Sequence, residues 1–309
     1  MMQPHLPKTP IRRPPAVKAG GRIGVAAPAS PFDKTRFETG VSLLRERGFD
    51  VVLPEGLFSR KRYLAGDDDH RLAILRDLFT DPSIDAVWCA RGGYGSMRLL
   101  QRPELDNLGL HPKAFIGLSD ITALLNHLVI RCKMATFHGP MITTLADADK
   151  QSIDHLFALL GGSDVPPVLA RSPRVIVSGK AEGRVLGGNL STLVHLLGTP
   201  YFPDFKGSIV FLEDTGEKPY RIDRMLTQLL LSGSLEHAKG LIFGSFVNCG
   251  AENEIETIAA ERFSSLPIPV MSGFPSGHAM PCLTLPIGIA ARLDTDEASL
   301  CYLESAVER

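Results

Sequence analysis

Through its first 160 residues the chain alternates short apolar runs with amphipathic stretches, a rhythm that few folds accommodate. Residues 22–27 read as a strand, turned by Pro28-Ala29-Ser30-Pro31. Residues 34–47 read as an amphipathic helix with Phe37, Val41, Leu43 and Leu44 on one side and Gly48 at its end. Further strands are expected at 50–53, 84–90, 114–118 and 135–138, and helical segments at 67–79, 97–100 and 149–160. Asp67, Asp68 and Asp69 suit the positive end of the second helix. This βαβα order predicts an open parallel sheet with helices on both faces. Such sheets bind ligands beyond the carboxyl ends of their strands.

The second half has a different rhythm. Strands are expected at 175–177, 184–186, 208–212 and 241–246, and helices at 190–197, 222–231 and 253–263. Residues 283–293 and 299–303 alternate like strands of a mixed sheet. Between the halves lies the turn-rich run Gly161-Gly162-Ser163-Asp164-Val165-Pro166-Pro167. The expected fold is therefore α/β. An N-terminal open parallel sheet with flanking helices spans residues 1–160, a linker 161–173, and a smaller C-terminal mixed α/β domain 174–309.

Composition narrows the function classes. The formal net charge is −1 and the basic residues are scattered, so no overall field attracts nucleic acid or an anionic membrane. The chain has no apolar run long enough to span a bilayer. Met1-Met2-Gln3-Pro4-His5-Leu6-Pro7 lacks a signal-peptide core, which points to the cytoplasm. The proline-interrupted basic cluster 8–18 reads as a solvated arm. The five cysteines (Cys89, Cys132, Cys249, Cys282 and Cys301) are far apart without metal-ligand spacing, so reduced thiols are expected.

Several loops could carry chemistry. Ser119 stands between a buried strand and a helix, the setting of a nucleophile elbow and equally of an ordinary helix N-cap. The loop Arg91-Gly92-Gly93-Tyr94-Gly95 could offer N–H groups to an anion or could be only a tight turn; it matches neither the phosphate-binding loop nor the dinucleotide fingerprint. Gly187-Gly188-Asn189 opens a helix, with Asn189 or Ser191 as its cap. Glu213 and Asp214 end an apolar strand. They face opposite sides if the strand continues, or form part of a charged, solvated loop. His278 sits on the Gly/Pro/Ser turn 273–277, and His138 competes with it from a similar setting. A serine needs a neutral imidazole to take its proton and a carboxylate to hold that imidazole, so Ser119, a carboxylate near 213 and His278 form one possible set.

Six motifs in this order (Arg91-Gly92-Gly93-Tyr94-Gly95-Ser96, Gly117-Leu118-Ser119-Asp120, His138-Gly139-Pro140, Gly187-Gly188-Asn189-Leu190, Leu212-Glu213-Asp214 with Tyr220 to Arg224, and Gly277-His278) resemble the LD-carboxypeptidase family of serine peptidases. That family includes murein tetrapeptide LD-carboxypeptidases and microcin C immunity hydrolases. The resemblance covers residues 22–293. It implies Ser119 as nucleophile, Glu213 as acid and His278 as base, with the N–H of Asp120 and that of Gly93, or alternatively Gly92, as oxyanion hole. It implies hydrolysis of an L,D amide through an acyl-enzyme, releasing terminal D-alanine from a muropeptide in cell-wall recycling. No metal or cofactor is implied, and homodimers are typical. The stretch 198–203 is shorter than the insertion the microcin branch tends to carry, which favours the murein branch. Arg91 could bind the substrate's terminal carboxylate or brace its loop by ion pairing. Outside the family, a non-catalytic protein binding an anionic ligand is the competing class.

Overall fold

The computed structural model describes residues 10–251 and 253–309. The first half runs β1 (Arg22–Ala26), α1 (Lys34–Glu46), β2 (Asp50–Val52), α2 (Asp68–Thr80), β3 (Ala86–Cys89), α3 (Pro103–Asp106), β4 (Ala114–Gly117), α4 (Thr122–Ile130), β5 (Thr136–His138), α5 (Ile142–Leu145) and α6 (Lys150–Leu160). The second runs β6 (Val168–Leu169), β7 (Arg174–Val177), β8 (Lys180–Asn189), α7 (Leu190–Leu196), β9 (Ser208–Thr215), α8 (Pro219–Leu231), β10 (Gly240–Val247), α9 (Glu254–Phe263), β11 (Val270–Ser272), β12 (Leu285–Ile287), β13 (Ala290–Asp294) and β14 (Ser299–Tyr302).

Local chemistry sets the helix starts. Asp33, Asp67 and Asp149 each accept from the backbone N–H three residues on, at 2.8, 3.0 and 2.7 Å, capping α1, α2 and α6. Asp67 thus lies just outside the helix, and Asp68 and Asp69 fill its first turn. The central strands β3, β4 and β5 are buried from end to end because helices cover both faces.

The first sheet has six strands in the order β12-β5-β4-β3-β1-β2. Five are parallel, and β12 runs antiparallel to β5. The second has eight, in the order β6-β14-β13-β8-β9-β10-β11-β7. Its centre, β8 to β11, is parallel, and the strands on either side are antiparallel. The architecture is the expected α/β.

Some expectations fail locally. The expected strand 283–293 is two strands in different sheets: β12 returns to the first sheet and β13 stays in the second. Alternation marks extended backbone but not its partner. The expected solvated arm is wrong for residues 10–18. Arg12 N–H donates to Lys133 O (2.7 Å), Val17 N–H to Leu160 O (2.8 Å), and Val17 is buried, so the prolines lay this segment along the first half. Lys8 and the stretch 1–7 lie outside the described residues. No described helix is long and apolar enough to cross a membrane.

Candidate active site

The carboxyl ends of β3, β4, β8 and β9 converge on one cleft of about 640 Å³. Arg91, Gly92, Gly93, Tyr94, Ser119 and Asp120 line it from the first half, and Asn189, Ser191, Asp214, Glu217 and His278 from the second. Strand order in the first sheet reverses between β1 and β3, and the loops after those strands lie beside the cleft, as the switch-point rule requires.

Ser119 follows β4 with a left-handed φ of 63°, a conformation that a residue with a side chain enters only under constraint. A short 3-10 turn (Ser119–Ile121) leads from it into α4. Its side chain caps neither helix, so the N-cap reading is incorrect. The Gly92 backbone packs on the Ser119 side chain so closely that a Cβ there would lie 2.8 Å from Ser119 Cβ and 3.1 Å from its Oγ. Neither Gly93 N–H nor Asp120 N–H takes part in a backbone hydrogen bond among the described residues.

The glycine loop is held from behind. Ser30 N–H donates to Gly92 O (3.2 Å), and Tyr94 N–H donates to Ser30 Oγ (3.0 Å). The buried Arg71 donates to Gly95 O (2.9 Å) and to Pro28 O, with Asp68 as its counter-ion at 2.5 Å. Ser96 N–H donates to Asp120 Oδ2 (2.8 Å); burial pushes that carboxyl up and the Ser96 bonds oppose the rise. Arg91 is exposed. Its guanidinium donates to Pro31 O (2.7 Å), and no carboxylate among the described residues lies within ion-pair distance of it. Arg36, the other cation lining the cleft, is paired with Asp147.

On the second sheet β9 continues past its apolar residues to Thr215, so Glu213 and Asp214 do point to opposite sides and both are buried; the solvated-loop reading is incorrect. Asp214 accepts from Asn189 Nδ2 (3.0 Å), Ser191 N–H (2.9 Å), Ser191 Oγ (2.7 Å) and Thr215 N–H (2.8 Å). Glu213 Oε2 accepts from His278 Nδ1 at 2.6 Å. The turn before His278 must be glycine, since Gly277 has φ 120° and a Cβ there would stand 2.9 Å from Glu213 Oε2. Burial would push the Glu213 carboxyl up, but the charge and hydrogen bond of His278, with the His138 imidazole close by, outweigh it and hold the group at about 2. Burial would lower His278, but Glu213 outweighs it and raises the imidazole above its ordinary value.

His138 does not line the cleft; it is fully buried beneath Glu213. Asn189 caps α7 by accepting from Thr192 N–H (3.0 Å), as expected of that glycine-rich turn. Sequence reasoning missed Asn126 and Thr122. Asn126 Nδ2 donates to Gly187 O (2.8 Å) and its Oδ1 accepts from Gly187 N–H (3.0 Å), while Asn189 N–H donates to Thr122 Oγ1 (3.0 Å). An amide within the apolar run Thr122-Ala123-Leu124-Leu125-Asn126 was the available signal. Among the described residues, Asp106, His127 and Cys132 form the cluster able to hold a metal. None lines the cleft, and Asp106 already pairs with His127 (2.7 Å) and Arg131 (3.3 Å).

A free imidazole edge and a hydroxyl in one cleft, with a buried carboxylate fixing the imidazole, can carry nucleophilic acyl transfer. Comparisons with known proteins agree with that chemistry. Residues 23–139 match the family model described as LD-carboxypeptidase N-terminal domain, and 182–293 match the LD-carboxypeptidase C-terminal domain. The chain is 38% identical over 297 residues to a probable murein peptide carboxypeptidase of Bacillus subtilis, covering 92% of each chain. It superposes on the microcin C7 self-immunity protein MccF, solved with glutamyl sulfamoyl guanosine, with a TM-score of 0.88 at 26% identity, over 97% of this chain and 100% of that one. It superposes on a muramoyltetrapeptide carboxypeptidase from Oxalobacter formigenes with a TM-score of 0.80 at 30% identity, over 91% and 97%.

Proposed function

The chain belongs to the LD-carboxypeptidase family, and on that premise we propose that it is a serine carboxypeptidase releasing the terminal D-alanine from murein tetrapeptides. The observation that carries the reading is a strained Ser119 in the same cleft as an imidazole bonded at 2.6 Å to a buried carboxylate. Glu213 engages Nδ1 of His278, which leaves Nε2 to take the proton of Ser119 as Oγ attacks the scissile carbonyl. The oxyanion is received by the N–H groups of Gly93 and Asp120, each such donor typically worth ~10²–10³ in rate. The imidazolium then gives its proton to the leaving amine of D-alanine, and water, activated by the same imidazole, hydrolyses the acyl-serine.

Arg91 is the group proposed to hold the substrate's free carboxylate, since it lines the cleft beside Gly92 and no carboxylate among the described residues pairs with it. The acidic side chains Asp214 and Glu217 line the same cleft, so it suits a dipolar peptide. A murein substrate ranks above a peptidyl-nucleotide of the microcin C type because the murein-named Bacillus relative is 38% identical and MccF of Escherichia coli 28%. A cytoplasmic homodimer completes the reading, and light scattering of the purified protein checks the dimer.

The test is release of D-alanine from a murein tetrapeptide by the purified protein, by its Ser119→Ala variant and with a C-terminally amidated tetrapeptide. The expected result is turnover of the free acid, little of the amide, and none by Ser119→Ala. Turnover of a peptidyl-nucleotide alone would favour the second reading, and full biological activity of Ser119→Ala would favour a binding protein.

A further inference from the structure

Glu213 has two carboxylate oxygens, and the proposed triad uses one. Oε1 is buried without a hydrogen-bond partner among the described residues, and so are both ring nitrogens of His138. The two side chains, each 0% exposed, face one another with His138 Nε2 at 3.7 Å from Glu213 Oε1. The His138 ring is fixed edge-on to Phe211, with centroids 5.1 Å apart and planes at 77°. A buried carboxylate oxygen left unpaired is strongly unfavourable.

We propose that His138 is a positioning residue for Glu213, its imidazole donating from Nε2 to Oε1. At 3.7 Å the pair is longer than a hydrogen bond, as catalytic contacts often are before substrate binds, and a shift of a few tenths of an ångström closes it. The placement gives the contact reach. His138 stands on β5 in register with Gly117 of β4, two residues before Ser119, while Glu213 stands on β9 of the other sheet. One imidazole thereby links the strand beside the nucleophile to the strand that carries the acid. Its N–H also draws charge from Glu213, which tempers the pull of that carboxylate on His278.

The inference rests on the proposed roles of Ser119, Glu213 and His278. The other titratable groups acting on the pair are Asp214, on β9 itself, and Cys282, in the loop before β12; the test leaves both unchanged. Compare His138→Gln, whose amide nitrogen reaches the position of Nε2, with His138→Asn and His138→Leu, which place no donor there. The readouts are kcat, KM, and the pH dependence of Ser119 labelling by a fluorophosphonate, which needs no knowledge of the substrate. His138→Gln should retain the wild-type acid limb. The other two should lose about tenfold in kcat at similar KM, the typical effect of removing a partner that orients a ligand from behind. Their acid limb should move to higher pH by on the order of one unit, since Glu213 then keeps its full charge for His278. Should His138→Leu not fold, His138→Asn decides. An unmoved limb, with His138→Gln as impaired as His138→Asn, would reduce His138 to packing. Activity surviving in Ser119→Ala would instead overturn the catalytic reading itself.

Discussion

Ser119 holds φ at 63°, a region that an L-residue enters at about 1–2 kcal/mol, and it does so without capping the helix that follows. Glycine enters that region freely. Ser119→Gly should therefore be more stable than Ser119→Ala by about 1 kcal/mol, read from urea unfolding, while both are inactive. Equal stability would mean that the backbone there is unstrained. In the proposed mechanism His278 sets the pH response. Only its neutral form accepts the serine proton, and Glu213 raises its pKa. The rate of the free enzyme should thus fall as pH drops through a value above the ordinary histidine range, and Glu213→Gln should move that limb down while lowering kcat by about 10⁴. A rate flat from pH 5 to 9 would remove His278 from the mechanism. At this scale the sequence singled out Ser119, Glu213 and His278 as candidates, because each sits in a distinctive turn or strand end. It gave no sign of Arg71 or Ser30, whose value lies in what they touch across 24 to 64 residues of chain.

Elements were legible where period and breakers coincide. The helix at α1, between Asp33 and Gly48, and the buried β3 and β4 needed only local pattern. β9 outran its expected end at 212 because β8 and β10 pair with it through Glu213, Asp214 and Thr215, and those ladders override the charge of the residues. The contact between α4 and β8 was invisible, since Asn126 reads as a polar interruption until Gly187 is beside it. Asn126→Leu leaves both polar groups of Gly187 buried and unpaired. It should destabilise the protein by about 2–4 kcal/mol and lower activity, because α4 follows directly on the turn that carries Ser119. A loss below 0.5 kcal/mol in urea unfolding would show that water replaces the amide.

The molecule joins two sheets through more than a cleft. β12 is hydrogen-bonded into the first sheet, yet Leu285 and Ile287 belong to the apolar core that lies against the second. Unfolding of one half should therefore drag the other. Trp88, the single tryptophan, is buried on β3, so its fluorescence reports the first sheet while far-ultraviolet circular dichroism reports both. The two transitions should coincide in urea; an earlier fluorescence change would show that the halves unfold independently. By itself the sequence determined the α/β class, the parallel core of the first half and the residue types able to perform acyl transfer, because those depend on periodicity and on motifs contained in short segments. Only the tertiary structure decided that Glu213 meets His278, that His138 lies behind the acid and outside the cleft, and that β12 crosses to the other sheet. Those facts depend on which distant segments share a low-dielectric interior, and the energy of bringing them together is not encoded in any one window of the chain.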